Sequence, residues 1–227
     1  MRTSILSLLL LVCTLSSYGQ AKETVAILGD SYSTFEGYLT PDSMEIWYHK
    51  NADPKQTDVT NVKQTWWWQV IKEGGYKLGI NNSWSGACIC NTGYNDSDAT
   101  YRSFLTRLDA LGTPDIIFIF GGTNDAWANV PLGDFKYQDI HRADKYCFRP
   151  AMALLLDQMI ERYPNVDIYF ISNCDLDEAY TQSIHTVCKH YGVPVIQLHD
   201  ISKQNGHPDI KGMNTIAKQV LEFIKKK

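Results

Sequence analysis

The sequence predicts a three-layer α/β/α sandwich built on a five-stranded parallel sheet. Short runs of aliphatic and β-branched residues alternate along the chain with longer segments whose apolar residues recur at helical spacing. Strands that alternate with helices in this way favour a parallel sheet covered by helices on both faces. In addition, residues 115–120 are almost purely apolar, which is typical of a central strand buried on both faces.

Each element follows from its local pattern. The predicted strands are residues 24–28, 76–81, 115–120, 167–171 and 194–198. The predicted helices cover residues 66–73, 100–110, 150–163, 180–191 and 213–224. Glycine or proline follows the first four of these helices, at Gly74, Gly112, Pro164 and Gly192. For five strands joined by helical crossovers we expect the flavodoxin-like strand order 2-1-3-4-5.

Length and composition are those of an ordinary globular protein. A chain of 227 residues suits one domain, and its contents of 44% hydrophobic and 20% charged residues do not indicate disorder. The formal net charge of −4 provides no electrostatic attraction to nucleic acid or to an anionic membrane. We therefore expect neither as a partner.

Residues 1–19 read as a secretory signal peptide, followed by a single domain over residues 20–227. Arg2 supplies the positive start, residues 5–12 the apolar core, and Ser17 and Gly19 the small residues of a cleavage site. The apolar run is too short to span a bilayer. We expect a secreted or periplasmic protein without stable membrane insertion.

The turn after the first strand carries the first candidate site residue. Gly29 permits a sharp turn, and Asp30 and Ser31 are residue types that begin helices. This places the Ser31 hydroxyl at the carboxyl edge of the sheet, near helix N-terminal amides that can hold a developing oxyanion. Taken alone, the tripeptide favours a plain turn followed by a helix cap, because short motifs often match without the function.

Three further blocks lie in loops that follow strands: Ser85-Gly86, Gly122-Thr123-Asn124-Asp125 and His207-Pro208. Together with Gly29-Asp30-Ser31, and in this chain order, they resemble the SGNH hydrolases, also called GDSL esterases. The resemblance covers essentially the mature chain. It implies that Ser31 is the nucleophile and that His207 is the base that accepts its proton. It also implies an oxyanion hole formed by the Ser31 and Gly86 amides and the Asn124 side chain.

The chain departs from the family pattern at one position. Family members usually carry Asp three residues before the histidine, where this chain has Gln204. We expect a Ser–His dyad in which Gln204 or a backbone carbonyl orients the imidazole, with Asp200 and Asp209 as alternative partners. We expect no cofactor and no metal, because no phosphate-binding glycine loop is present and the histidines lack ligand-like spacing.

These observations favour a secreted serine esterase that acts on a small-molecule or glycan ester, with acetyl groups on carbohydrate as the leading substrate. Lysophospholipase, thioesterase and acyltransferase activities use the same site and stay open. A carbohydrate-binding module on a decayed hydrolase scaffold is the non-enzymatic alternative, which the intact Ser31, Gly86, Asn124 and His207 disfavour.

Overall fold

The centre of the fold is a five-stranded parallel sheet in the order β2-β1-β3-β4-β5, seen in a computed structural model that describes residues 21–225. The strands are β1 (Thr24–Gly29), β2 (Lys77–Ser83), β3 (Ile116–Phe120), β4 (Asp167–Ser172) and β5 (Val195–Gln197). The predicted fold class and strand order are confirmed. The predicted signal peptide lies outside the described residues.

Helices cover both faces of the sheet. They are α1 (Trp66–Glu73), α2 (Phe104–Arg107), α3 (Thr123–Trp127), α4 (Phe148–Arg162), α5 (Glu178–Tyr191) and α6 (Ile210–Ile224). Helices α1 and α6 cover one face, and α2, α4 and α5 cover the other. No helix in residues 21–225 is long and apolar enough to cross a membrane.

Alternating side chains of the central strands form two cores. Ile27 and Phe118 pack with the rings and aliphatic chains of α1 and α6. Leu28 and Ile119, one position further along the same strands, pack against α4 and α5. This alternation is the two-residue period of a strand buried on both faces. It holds β1 and β3 rigidly side by side, so the loops after them have fixed positions.

One predicted helix is wrong. Residues 100–110 form a 3₁₀ turn at Thr100–Arg102 and then the short helix α2, instead of one continuous helix. The break occurs at Ser103, whose hydroxyl accepts a hydrogen bond from the Thr106 amide at 3.3 Å and so begins a new helix. A serine side chain that bonds to the nearby backbone competes with helical hydrogen bonding in this way.

A tight hairpin that the sequence analysis did not predict lies between β5 and α6. Its strands are β6 (Lys203–Gln204) and β7 (His207–Pro208), joined by Asn205 and Gly206. Both joining residues have positive φ, 49° and 77°. That conformation is characteristic of a two-residue type I′ hairpin, for which Asn-Gly is the preferred sequence. The hairpin places His207 immediately after the turn.

Candidate active site

Ser31 lies on a 3₁₀ turn, Ser31–Ser33, which follows directly after β1 (the Ser31 turn). Asp30 caps this turn by accepting the Tyr32 amide proton at 3.0 Å. The Ser31 side chain is 3% exposed, and its own backbone N–H has no acceptor among the described residues. The turn therefore presents a hydroxyl and a free amide together at the carboxyl edge of the sheet.

The structure brings His207 to this hydroxyl from the opposite end of the sequence. Its Nε2 lies 3.0 Å from Ser31 Oγ, and its Nδ1 lies 3.0 Å from the carbonyl oxygen of Asn205. A carbonyl can only accept, so Nδ1 carries the proton and Nε2 presents a lone pair. The Ser31 hydroxyl consequently donates to Nε2, which is the arrangement that proton removal from serine requires.

Two buried tyrosines hold the backbone on both sides of His207. The Tyr32 hydroxyl donates to the Gly206 carbonyl at 2.6 Å, and the Tyr48 hydroxyl donates to the Pro208 carbonyl at 2.8 Å. Both phenols are buried, so each bond replaces one that water would otherwise make. The imidazole is thereby fixed through its own backbone as well as through its ring nitrogens.

Burial makes the His207 imidazole a neutral base over most of the pH range. The ring is 7% exposed, and its removal from water lowers the pKa of His207 to about 4. The hydrogen bond to the Asn205 carbonyl raises this pKa, and the nearby charge of Lys203 lowers it; both effects are smaller than that of burial. At neutral pH the ring is uncharged and able to accept a proton.

None of the three side chains proposed to orient His207 forms a hydrogen bond with its ring. Gln204 Nε2 instead donates to the carbonyls of Pro54 and Lys55, at 2.8 and 3.2 Å, which draws the side chain away from the imidazole. The Asn205 carbonyl occupies the orienting position. The expectation that the Gln204 amide orients the ring is therefore wrong, and the backbone-carbonyl alternative describes the contact.

The two aspartates are also engaged elsewhere. Asp200 pairs with the exposed ring of His199 at 3.0 Å. Asp209 caps α6 by accepting the Gly212 amide proton at 2.7 Å, and it also bonds to Ser202. A helix-capping carboxylate is committed to the backbone that it caps. Both proposed alternatives to Gln204 are therefore wrong.

Gly86 lies in the loop after β2, next to the Ser31 turn in the sheet because β2 pairs with β1. The Trp84 amide donates to the Gly29 carbonyl at 3.1 Å, which ties this loop to the end of β1. Gly86 has a φ of 75°, and a Cβ there would lie 3.1 Å from Arg102 Nη1. Its N–H has no acceptor among the described residues. The positive φ therefore favours glycine at this position, and a Cβ would also crowd the end of the Arg102 side chain.

Asn124 reaches the same edge from α3, which follows β3 on the other side of β1. Its Nδ2 donates to the Ala87 carbonyl at 3.0 Å, and its Oδ1 accepts from the Tyr94 hydroxyl at 2.8 Å. The Ala87 carbonyl fixes which way the amide faces, because it can only accept a hydrogen bond and must therefore meet Nδ2. One Nδ2 hydrogen remains for an oxyanion. Sequence reasoning missed Tyr94, which lies in an irregular loop without any pattern.

A buried carboxylate supports the loop that contains Gly86. Asp125 accepts the amide protons of Ile89, at 2.8 Å, and of Cys90, at 3.2 Å. Burial raises the pKa of Asp125 to about 6, although these amides favour its charged form. Two neighbouring residues of α3 therefore have different roles. Asn124 is a candidate oxyanion donor, and Asp125 holds the loop that contains Gly86.

Asp30 adds a second buried carboxyl beside Ser31. Desolvation raises the pKa of Asp30 to about 7, so this group is only partly ionised at neutral pH. Arg107 is also buried, and its Nη2 donates to the Gly29 carbonyl at 3.2 Å, one residue before Asp30. Its positive charge partly offsets the penalty for the Asp30 carboxylate. The turn around Ser31 thus avoids a full, unbalanced negative charge where an oxyanion would form.

Within residues 21–225, no group of three or more His, Cys, Asp or Glu side chains is arranged to hold a metal ion. Ser31, Gly86 and Asn124 lie at the ends of the adjacent strands β1, β2 and β3, and His207 meets Ser31. The structure therefore brings the four residues named from the sequence to one edge of the sheet.

A parallel-sheet sandwich with these four residues at its carboxyl edge has the architecture of the SGNH hydrolases. The chain belongs to the GDSL-like lipase/acylhydrolase family, whose sequence model matches residues 23–224. The fold is similar to that of a GDSL-like lipase from Bacteroides ovatus, with 58% identity and a TM-score of 0.90, over 92% of this chain and 100% of that one.

Two other structures extend the comparison. A GDSL-like lipase from Bacteroides uniformis is 47% identical with a TM-score of 0.88, over 92% of this chain and 99% of that one. A family two carbohydrate esterase from Clostridium thermocellum, in complex with cellohexaose, shares the fold at 16% identity and a TM-score of 0.59, over 90% of this chain and 64% of that one. The search of curated proteins found no match.

Proposed function

We propose that this protein is a secreted serine esterase that hydrolyses carboxylic esters through a dyad of Ser31 and His207. The observation that supports this most strongly is the 3.0 Å contact between Ser31 Oγ and His207 Nε2. A serine hydroxyl becomes an effective nucleophile only when a base accepts its proton, and this contact supplies the base.

In the proposed reaction, Ser31 Oγ attacks the ester carbonyl while its proton passes to His207 Nε2. The carbonyl oxygen becomes an oxyanion and receives the amide protons of Ser31 and Gly86 and the remaining Nδ2 proton of Asn124. The carbon–alkoxy bond then breaks, and the imidazolium protonates the departing alcohol. Water then gives a proton to His207 and attacks the acyl-serine; the bond between the acyl carbon and Ser31 Oγ breaks, Oγ takes the proton back from His207, and the carboxylic acid is released.

We infer that the substrate is an acetylated carbohydrate. Trp127 is 42% exposed, and its ring lies 5.7 Å from that of His207, so a flat apolar surface borders the dyad on the solvent side. Indole faces suit the apolar faces of sugar rings while leaving their hydroxyl groups in water. The net charge of −4 gives the protein no electrostatic attraction to an anionic lipid surface.

The experiment for this proposal is a comparison of hydrolysis rates across ester classes. We expect release of acetate from p-nitrophenyl acetate and from acetylated oligosaccharides, with slower turnover of octanoyl esters, acyl thioesters and lysophosphatidylcholine. Faster release of long acyl chains would favour the lysophospholipase or thioesterase alternative. Transfer of acetate to an added alcohol in preference to water would indicate an acyltransferase. Glycan binding without any turnover would indicate a binding module.

Loss of the Asn124 amide should strongly slow the reaction. We expect Asn124→Ala to lower kcat by about 10²–10³-fold with little change in KM, because this donor would act only on the oxyanion of the transition state. Steady-state kinetics on p-nitrophenyl acetate measures both constants. Tyr94→Phe is the matched variant: it removes the hydrogen bond to Asn124 Oδ1 but leaves the amide and its bond to the Ala87 carbonyl in place, and we expect a loss of no more than about tenfold. An Asn124→Ala enzyme within threefold of the parent kcat would contradict the assignment.

Changes at Gln204 should have little effect on turnover. Its side chain holds the hairpin to the loop at Pro54 and Lys55, so Gln204→Ala should cost about 0.5–1.5 kcal/mol of unfolding free energy and change kcat less than threefold. Gln204→Asp should not raise activity, because that side chain is directed away from the imidazole. Urea denaturation and kinetics measure the two effects separately. A more than tenfold gain in kcat for Gln204→Asp would show that the carboxylate reaches the ring.

A further inference from the structure

The indole of Trp47 lies flat against the imidazole of His207. The two ring centroids are 3.5 Å apart and the ring planes differ by 7°. The two nitrogens of His207 are already engaged by Ser31 and by the Asn205 carbonyl. The stacked contact therefore covers a face of the ring and leaves both hydrogen bonds in place.

The position of Trp47 is linked to the Ser31 turn. The Trp47 amide donates to Thr34 Oγ1 at 2.9 Å, and that hydroxyl donates to the Ser31 carbonyl at 2.9 Å. The indole Nε1, in contrast, is buried and has no hydrogen-bond partner among the described residues. A buried donor without a partner is unfavourable, and phenylalanine would avoid that penalty. Compared with phenylalanine, tryptophan presents to the imidazole the ring face that attracts a cation most strongly.

Among the described residues, no carboxylate is hydrogen-bonded to the imidazole to balance its protonated form; the buried carboxyl of Asp30, beside Ser31, is only partly ionised at neutral pH. Lys203 of β6 is positive and opposes a second positive charge on His207. The ring edges or faces of Tyr32 and Tyr48 pack around the imidazole, and burial raises the pKa of both phenols well above 10, so they are neutral. Helix α3 contributes the uncharged ring of Trp127.

We propose that Trp47 is a positioning residue that stabilises the His207 imidazolium through a cation–π contact, and so performs part of the work that a triad carboxylate does in related enzymes. The negative face of an indole attracts a cation stacked on it, and the attraction is larger when both are shielded from water. The contact strengthens as His207 takes the proton from Ser31, so it favours the transition state over the resting neutral pair. This inference rests on the proposed esterase function.

The test varies the electron density of the Trp47 ring at nearly constant shape. Tryptophans carrying one to four fluorines are placed at position 47 by nonsense suppression, since fluorine withdraws density from the ring face. We expect log kcat on p-nitrophenyl acetate to fall in step with the number of fluorines, reaching about a tenfold loss for the tetrafluoro ring, equivalent to about 1.4 kcal/mol. We also expect the acid limb of the kcat/KM profile to move to lower pH, by up to about one unit, because the imidazolium becomes harder to form.

Trp68 provides the control position. The Trp68 ring also faces a cation, because Lys72 Nζ lies 4.8 Å from its centroid. Trp68 lies on α1, however, and belongs neither to the Ser31–His207 dyad nor to the loop that contains Gly86. The same fluorinated residues at position 68 should leave kcat and the acid limb unchanged. If the enzyme is active but fluorination at position 47 changes neither kcat nor the acid limb of the kcat/KM profile, the Trp47 proposal alone is overturned. A parent protein without turnover of any ester would overturn the proposed function instead.

Discussion

Ser31→Ala is expected to lower ester hydrolysis by at least about 10⁴-fold, the scale on which serine hydrolases lose activity when the nucleophile is removed. The variant keeps the Ser31 amide and the other oxyanion donors, but it has no atom that can form the acyl bond. The missing hydroxyl contacts His207 and caps no helix, so the fold should be retained. Initial rates on p-nitrophenyl acetate, together with a circular dichroism spectrum of the purified variant, check both parts.

Ser33 supplies the matched control for this result. It lies two residues further on in the same turn, and its hydroxyl accepts from the Trp66 indole at 3.3 Å, not from the dyad. We expect Ser33→Ala to lose some thermal stability and to retain kcat within about fivefold, because one buried hydrogen bond is lost without change at the reacting atoms. Equal loss of activity in both variants would mean that activity depends on the conformation of the turn and not on the Ser31 hydroxyl.

His207→Ala is expected to have an effect of similar size, about 10⁴-fold or more in kcat, because no group then accepts the hydroxyl proton as Ser31 attacks the ester. The double variant Ser31→Ala/His207→Ala should be no slower than either single variant, since the two residues act as one unit. Activity measured from pH 5 to pH 9 shows whether solvent hydroxide compensates for the missing base.

The control for the histidine is His199→Ala. His199 lies at the surface beside Asp200, with 71% of its side chain exposed, and it has no contact with Ser31. This variant should keep full activity. A His207→Ala enzyme within tenfold of the parent kcat would refute the assignment of His207 as the base, even though its ring lies beside Ser31.

The fold could be predicted because it depends on patterns that are local in the chain. The apolar run at Ile116–Phe120 and the helical spacing after Pro150 each report burial directly, and the crossover rules then restrict the strand order. The prediction of one continuous helix over residues 100–110 is wrong for a local reason as well, since the serine at position 103 begins a second helix in the middle of the predicted one. The Asn205-Gly206 turn carried a hairpin signal that the sequence analysis did not use.

The sequence could not decide between Gln204 and a backbone carbonyl as the group that orients His207, because spacing along the chain does not determine where a side chain points. Gln204 stands at the position usually taken by aspartate, yet carbonyls about 150 residues earlier in the chain hold its amide away from the imidazole. The tight turn meanwhile brings the Asn205 carbonyl to Nδ1. A backbone carbonyl leaves no trace in the sequence, since every residue has one.

The sequence did not predict the contact of Trp47 with His207, for a related reason. It lies in a long irregular segment between β1 and α1, where no periodicity indicates which face is buried. Its ring meets His207 only because Thr34 holds its backbone near Ser31 and the hairpin delivers the histidine from the other end of the chain. Sequence patterns identify the candidate reacting residues. Residues such as Trp47, which act on the charge of a reacting residue by packing against it, are found only from the structure.

The most direct test of the central claim is to map the site at which a fluorophosphonate reacts with the protein. The reagent phosphonylates a serine only where a base and an oxyanion hole activate it. Intact-mass measurement should show one adduct per chain, and peptide mapping should place it on Ser31, with no adduct in Ser31→Ala and little in His207→Ala. An adduct on a different serine, or undiminished labelling of Ser31→Ala, would contradict the dyad proposed here.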